Sequence, residues 1–492
     1  MSRWSGAGFG AFGAILTLGG QWARYVVQLL SLVILARLIN PSAYGLMAVV
    51  AGIVTIANTF GDFGLSMSAL QAKYLSHPQR SNLFWLNLLF GVLLCLLLNI
   101  AAPEVAAFYS QQELEILCRV MSAFFVLSGA TAQYRVGLNR EGKFAQLAIS
   151  DFAGSVIGLL VGVAGAVQGL GAMSLVLQQI SCGLVTFVLL LAFSSWIPGL
   201  PRWGVGTKPL VSFGGVLFLT YVANAISSNI DSMALGRYQP ISLVGAYDRA
   251  FQITRQPLNQ IMAPLIRLAV PSSVRAGSDP EKRLAVLSRL HGPVAWVCSG
   301  ALSLMVAVGG LLGQIVLGQQ WRGLGDIIAV LAIAGIFQTA QQLSYWALLS
   351  SGRGKVLFLA EMLPRVLFVM AVILCARLGV IYVCWCVVLQ QVLILAVACF
   401  WALPKIGIAT RRAIWTSVSP VLFFLCLAVV IFLVRISGEQ FSLFSGTQVD
   451  LVGGGVWIVS IGCLLLISST TRRRWLGYVK PVFHEVLRRG RK

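Results

Sequence analysis

The chain has 492 residues, 58% of them hydrophobic and only 10% charged, with a mean hydropathy of +0.87 and a formal net charge of +21. Water-soluble domains carry about 25% charged residues, so the composition excludes a soluble domain and leaves an integral membrane protein. Apolar stretches of roughly 20 residues, enough to cross about 30 Å of hydrocarbon as a helix, recur down the chain without the apolar–polar alternation of a membrane barrel.

Fourteen helices are predicted, at 9–36, 42–66, 81–102, 114–136, 143–167, 170–194, 209–235, 241–266, 284–312, 324–350, 355–376, 379–401, 413–434 and 450–470. The first, with a single arginine before it, reads as a retained span and not as a cleaved signal peptide. Its Gln21, Arg24, Gln28 and Ser31 follow the spacing of one helical face. In "ARLINPSAYGLM", Arg37 ends this helix at an interface and Asn40-Pro41 closes one helix and opens the next. Helix 2 adds Asn58 and Asp62, and helix 5 adds Asp151. The seventh helix carries Asn224, Ser228 and Asp231 at helical spacing. The eighth is the most polar, with Asp248, Gln252, Arg255 and Asn259 on one face and Arg249, Gln256 and Gln260 alongside. Pro257 and Pro264 should bend it, and Pro257 is a candidate hinge. Helix 10 contributes Gln338, Gln342 and Tyr345, and Glu361 with Arg365 on helix 11 reads as an intrahelical pair.

With the N-terminus inside, 25 lysines and arginines fall on inner flanks and 6 on outer ones. That asymmetry is expected of cytoplasmic loops, so both termini are expected in the cytoplasm. The net charge is then mostly topology. The tail "RRRWLGYVKPVFHEVLRRGRK" reads as an interfacial anchor for anionic lipid, and not as a nucleic-acid site. Three scattered histidines and ten dispersed cysteines, of which Cys384 and Cys386 lie within one span, point to no metal, disulfide or cofactor.

Arg37, Ser42 and Gly45 recur as Arg237, Ser242 and Gly245, an offset of 200. "YSQQE" (109–113) echoes "LGQQW" (317–321) at 208, and "EGKFAQLA" (141–148) echoes "RGKVLFLA" (353–360) at 212. The common order indicates a duplicated six-helix unit: a lobe at 1–201, a second lobe at 202–404, two extra helices within 405–470 and the basic tail 471–492. Parallel repeats place a substrate site between the halves. A charge at mid-depth costs at least about 2.5–3.5 kcal/mol on insertion scales. Arg24, Gln28, Asn224, Asp231, Asp248, Arg249, Gln252, Arg255 and Asn259 are therefore expected to line a polar cavity. Interhelical hydrogen bonding is the alternative reading of each.

The segments "LARLINPSAYGLMAVV", "FGDFGLSMSALQ", "NLFWLNLLFG" and "GAYDRAFQITRQPLNQI" resemble the polysaccharide-transporter branch of the multidrug/oligosaccharidyl-lipid/polysaccharide exporter superfamily, the Wzx-type flippases, over about residues 10 to 400. The resemblance implies an all-α membrane fold like that of the multidrug exporters of the superfamily, with two pseudo-symmetric lobes of six helices and two more. It implies transfer of undecaprenyl-pyrophosphate-linked oligosaccharide across the bacterial inner membrane by alternating access, without enzymatic chemistry. Arg24 and Arg255 match, by position on helices 1 and 8, the cationic cavity that such flippases use. The implied partners are membrane lipids, the polyprenyl-linked substrate, a polysaccharide polymerase and chain-length or export proteins. A drug exporter on the same fold is the alternative, with Asp231 as its cation or proton site. A membrane polymerase or acyltransferase is disfavoured, because no loop exceeds roughly twenty residues.

Overall fold

The computed structural model describes residues 7–72, 74–202, 204, 218, 221–440 and 446–467, and among these the regular structure is helical throughout. Nine helical spans among the described residues are long and apolar enough to cross a membrane. The basic tail, residues 209–217 of the seventh predicted helix and 468–470 of the fourteenth lie outside the described residues. By internal contacts the chain divides into Met1–Gly245 and Ala246–Lys492.

The N-terminal unit contains α1 (Ala7–Leu38), α2 (Pro41–Asp62), α3 (Leu65–Gln71), α4 (His77–Tyr109), α5 (Glu113–Met121), α6 (Ala123–Arg140), α7 (Phe144–Val167), α8 (Ala172–Phe193) and α9 (Ile230–Tyr238). The start of α2 follows the sequence reading. Asn40 caps it, its Oδ1 accepting from Ala43 N at 2.9 Å, and Pro41 takes the first helical turn, where a missing N–H costs nothing. The helix expected at 42–66 is instead broken. Phe63 and Gly64 adopt left-handed φ of 45° and 70°, and α3 resumes beyond them. Arg140 closes the far end of α3, donating to the carbonyls of Ala69 at 2.8 Å and Ala72 at 2.6 Å, as a cation at a helix C-terminus should.

The span expected at 114–136 runs from Glu113 to Arg140; at Ser122, which keeps helical φ and ψ of −60° and −27°, the hydroxyl donates to Arg119 O and accepts from Asn99 Nδ2, both at 2.6 Å. By contrast α4 outruns its prediction, because the capping box of Ser76 and Gln79 starts it early. Near that start the buried Arg80 donates to Gln133 O at 2.9 Å and lies 4.0 Å from the Trp196 ring centroid, beside a cluster of Phe84, Tyr134, Leu138 and Leu190. The short turn between α7 and α8 is present where expected, with Gly169 at φ 78°. Leu89, Leu93, Leu96, Leu97 and Ile100 leave one face of α4 apolar and exposed, as lipid contact requires.

The recurring motif has a structural role. A side chain on Gly45 would collide with the Ile241 carbonyl, and one on Gly245 with the Pro41 carbonyl. Each glycine therefore lets its helix meet the first turn of the other at backbone distance, the close approach that small residues permit between membrane helices.

The C-terminal unit contains most of α10 (Ile241–Arg275), then α11 (Pro280–Leu317), α12 (Leu324–Ser350), α13 (Gly354–Cys375), α14 (Val380–Val397), α15 (Thr410–Gln440) and α16 (Gly446–Ile467). At its centre is α12, whose Ile328, Leu331, Ile336, Leu343 and Trp346 are almost fully buried. Helices α11 and α14 flank it, and α15 and α16 pack on α11. Cys384 and Cys386 are buried on α14. Prolines at 257, 264 and 271 lie within the unbroken span of α10. A non-helical residue lies within α11, at Val308 (φ −120°, ψ 21°), just before Gly309-Gly310.

Candidate functional site

In the N-terminal unit, three side chains from three helices converge. Arg24, midway along α1, places Nη1 3.5 Å from Asp151 Oδ2 on α7. Arg135 of α6 grips the same carboxylate with two hydrogen bonds, Nη1 to Oδ2 at 3.1 Å and Nη2 to Oδ1 at 2.6 Å. The two arginine side chains are 43% and 42% exposed, against 20% for the acid between them. One carboxylate between two guanidinium groups leaves a surplus of one positive charge, with donors still open to an incoming group. Arg24 Nε is buried with no partner among the described residues, a donor that lacks an acceptor. One turn on, Gln28 is exposed, while Ser31 accepts from Gln178 Nε2 at 2.7 Å.

The sequence points to Arg24 and, separately, to Asp151 as polar residues within spans, but not to Arg135 or to its contact with Asp151. Their spacing of 16 across a helical turn at Gly142 gives no periodic signal. Only the α6–α7 hairpin brings them together.

In the C-terminal unit the polar face of α10 resolves into two short networks. Asp248 Oδ2 accepts from Arg249 at 2.6 Å and from Gln252 at 3.2 Å. Arg255 Nε donates to Gln338 Oε1 at 2.8 Å, and Gln338 Nε2 donates onward to Asn259 Oδ1 at 3.0 Å. The Arg255 guanidinium also lies 5.0 Å from the Phe251 ring centroid, a cation–π contact that holds it. Arg249 is thus committed to a neighbouring carboxylate, whereas the contacts of Arg255 with Gln338 and Phe251 orient its guanidinium. Glu361 and Arg365 form the expected intrahelical pair at 2.6 Å.

The remaining predicted residues separate. Asn224 is exposed on the helical run 221–227, while Asp231 is buried in the first turn of α9, its carboxylate accepting from Ser232 N at 2.8 Å. A further network lies outside every predicted site. Arg435 of α15 bridges Asp326 and Asp450, both at 2.8 Å, and Asp450 of α16 accepts from the Leu311 N–H just beyond the break in α11. Buried at that position, Arg435 is an internal strut of the unit.

These features accompany a consistent set of likenesses. The chain is 23% identical over 372 residues to the lipopolysaccharide biosynthesis protein WzxC of Escherichia coli (strain K12), covering 75% of this chain and 74% of that one. It is 26% identical over 388 residues to the teichuronic acid biosynthesis protein TuaB of Bacillus subtilis (strain 168), covering 78% and 80%. Its fold matches that of the lipid II flippase MurJ in an inward closed conformation with a TM-score of 0.67 at 12% identity, covering 93% of this chain and all of that one. Residues 34–324, more than half the chain, match the model of the family described as polysaccharide biosynthesis protein, and the chain belongs to that family.

Proposed function

We propose that the protein is a flippase that carries polyprenyl-pyrophosphate-linked oligosaccharide from the cytoplasmic to the outer leaflet of a bacterial inner membrane, with both termini cytoplasmic and no covalent chemistry of its own. The observation that carries this reading is the pair of exposed guanidinium groups around Asp151, with the unmatched donor of Arg24. A diphosphate offers the planar, doubly charged oxygen edges that arginine forks bind in parallel. Arg24 and Arg135 would take the diphosphate as it displaces Asp151. The Gln28 amide beside them offers a further hydrogen bond, and in the other unit Arg255 with Gln338 and Asn259 forms a second polar group suited to phosphate or sugar hydroxyls. The polyprenyl chain would remain in lipid while two lobes alternate access, and a polymerase and export machinery would take the delivered repeat unit. Names of relatives that make lipopolysaccharide and teichuronic acid support a polysaccharide cargo.

Each charge-assisted hydrogen bond is worth about 1.5–3 kcal/mol, so losing a guanidinium should weaken diphosphate binding by about tenfold to a hundredfold. Arg24→Ala, Arg135→Ala and Arg255→Ala should each abolish polysaccharide export while the protein stays in the membrane. Full export by all three variants would refute the assignment. Export that follows drug resistance instead of polysaccharide production would favour the rival reading, in which the buried Asp231 binds a cation.

A further inference from the structure

Four acids within the helices, Asp151, Asp248, Glu361 and Asp450, each lie 2.8 Å or less from a guanidinium nitrogen. Asp62, at the end of α2, is different: no charged neighbour acts on it among the described residues. Its Oδ1 accepts from the Ser66 hydroxyl and from Ser66 N, the latter at 3.4 Å, and Asn87 of α4 is within hydrogen-bonding reach of the carboxylate. Half-buried among these helices, a carboxylate is costly unless hydrogen bonds and a positive charge compensate it.

Beside it is a cavity of about 20 Å³ between α2, α4 and α6. Its polar lining is oxygen-bearing, from Asp62, Asn58, Asn87 and Ser128, closed by Leu94 and Phe125, and no basic side chain contributes. Asn87 is 2% exposed, and its Oδ1 has no hydrogen-bond partner among the described residues. An orphaned buried acceptor implies a missing ligand, and a volume above about 10–15 Å³ admits a single water-sized particle.

We propose that this cavity is a binding site for one sodium ion, held by the Asp62 carboxylate, the amide oxygens of Asn58 and Asn87 and the Ser128 hydroxyl. Hard cations select oxygen ligands, and one carboxylate balances one charge, which favours a monovalent ion over a divalent one. Water alone would satisfy Asn87 but leave the Asp62 charge uncompensated. The ion would tie α2, beside its break at Phe63-Gly64, to α4 and α6.

The test is thermal unfolding of the purified full-length protein as sodium chloride replaces choline chloride at constant ionic strength, with potassium chloride in parallel. Sodium alone should raise Tm saturably by about 5 °C, the linkage expected of a ligand that binds only the folded state. Asp62→Asn should remove the response, and Asn87→Ser and Ser128→Ala should raise the half-saturating concentration by about tenfold for each lost ligand. No sodium response in the unaltered protein, or an unchanged one in Ser128→Ala and Asn87→Ser, would overturn the proposal. So would stabilisation by acid in place of sodium, which would assign the charge to a proton. No lipid-linked sugar enters the assay, so failure here leaves the flippase reading standing.

Discussion

Replacing Asp450 with alanine tests whether α15 and α16 are integral to the C-terminal unit or merely lie against it. Asp450 is 1% exposed, and it partners both the Leu311 N–H and the Arg435 guanidinium, itself 7% exposed. Its removal strands a buried charge, a loss that costs 3–5 kcal/mol where no other partner remains, and orphans a backbone donor at the break in α11. Asp326 is 50% exposed and would still hold Arg435, so the expected loss is about 3 kcal/mol, the low end of that range. For a unit of this size that lowers Tm by about 6–12 °C, measured by thermal unfolding in detergent. The paired variant Arg435→Met with Asp450→Leu should recover most of the loss, because it removes both charges together. If Asp450→Ala moved Tm by less than about 1 °C, or if the pair were worse than the single variant, the buried network would not be what fixes these helices to the unit.

Asp151→Asn should retain the membrane protein and free both arginines; diphosphate binding, measured with a soluble polyprenyl-diphosphate analogue, should tighten or hold, and a complete loss would show that Asp151 does more than hold the fork. Arg140→Ala removes the bonds that close α3 and should cost about 1 kcal/mol, read as faster amide exchange over Leu65–Gln71 with global unfolding little changed. Glu361→Gln removes the carboxylate partner of Arg365, whose side chain is 22% exposed, and leaves an amide in its place; it should cost about 1 kcal/mol and lower Tm by about 2–4 °C. Gly45→Val and Gly245→Val should each destabilise by about 2 kcal/mol or more through overpacking; a stable, fully active Gly45→Val protein would refute the reciprocal contact.

The sequence showed the spans because hydropathy integrates over whole helices. It showed the start of α2 because Asn40 and Pro41 are local signals whose partner, Ala43, is three residues away. It missed the break after Asp62, since Phe63 adopts a left-handed conformation that its residue type does not advertise. It also missed the break at Val308, looking for bends at the prolines of α10 and passing over Gly309-Gly310, which was the available cue. At the candidate site the face of α1 was legible because Gln21, Arg24, Gln28 and Ser31 follow one helical period. Asp151 was legible as an acid within a span, but its contact with Arg135 was not, because it depends on the α6–α7 hairpin. Asp450 and Leu311 are 139 residues apart, a pairing that no local pattern encodes.

The segments that match at fixed offsets bear on where an anion site belongs. What they share is packing and flanking charge: Gly45 and Gly245 each admit the other's helix, the prolines near them set the starts of α2 and α10, and Arg37 recurs as Arg237. What they do not share is the triad. The offset of 200 that aligns the glycines sets Asn224 opposite Arg24, and the offset of 212 sets Ala347 and Leu363 opposite Arg135 and Asp151. A charge triad required only to hold helices together would be expected wherever the scaffold repeats. Here it occurs once among the described residues, with two of its three members more than two-fifths exposed and one donor unmatched. The aligned positions Asn224, Ala347 and Leu363 carry no charge, which is the asymmetry expected of a group kept to bind an anion and not to pack helices.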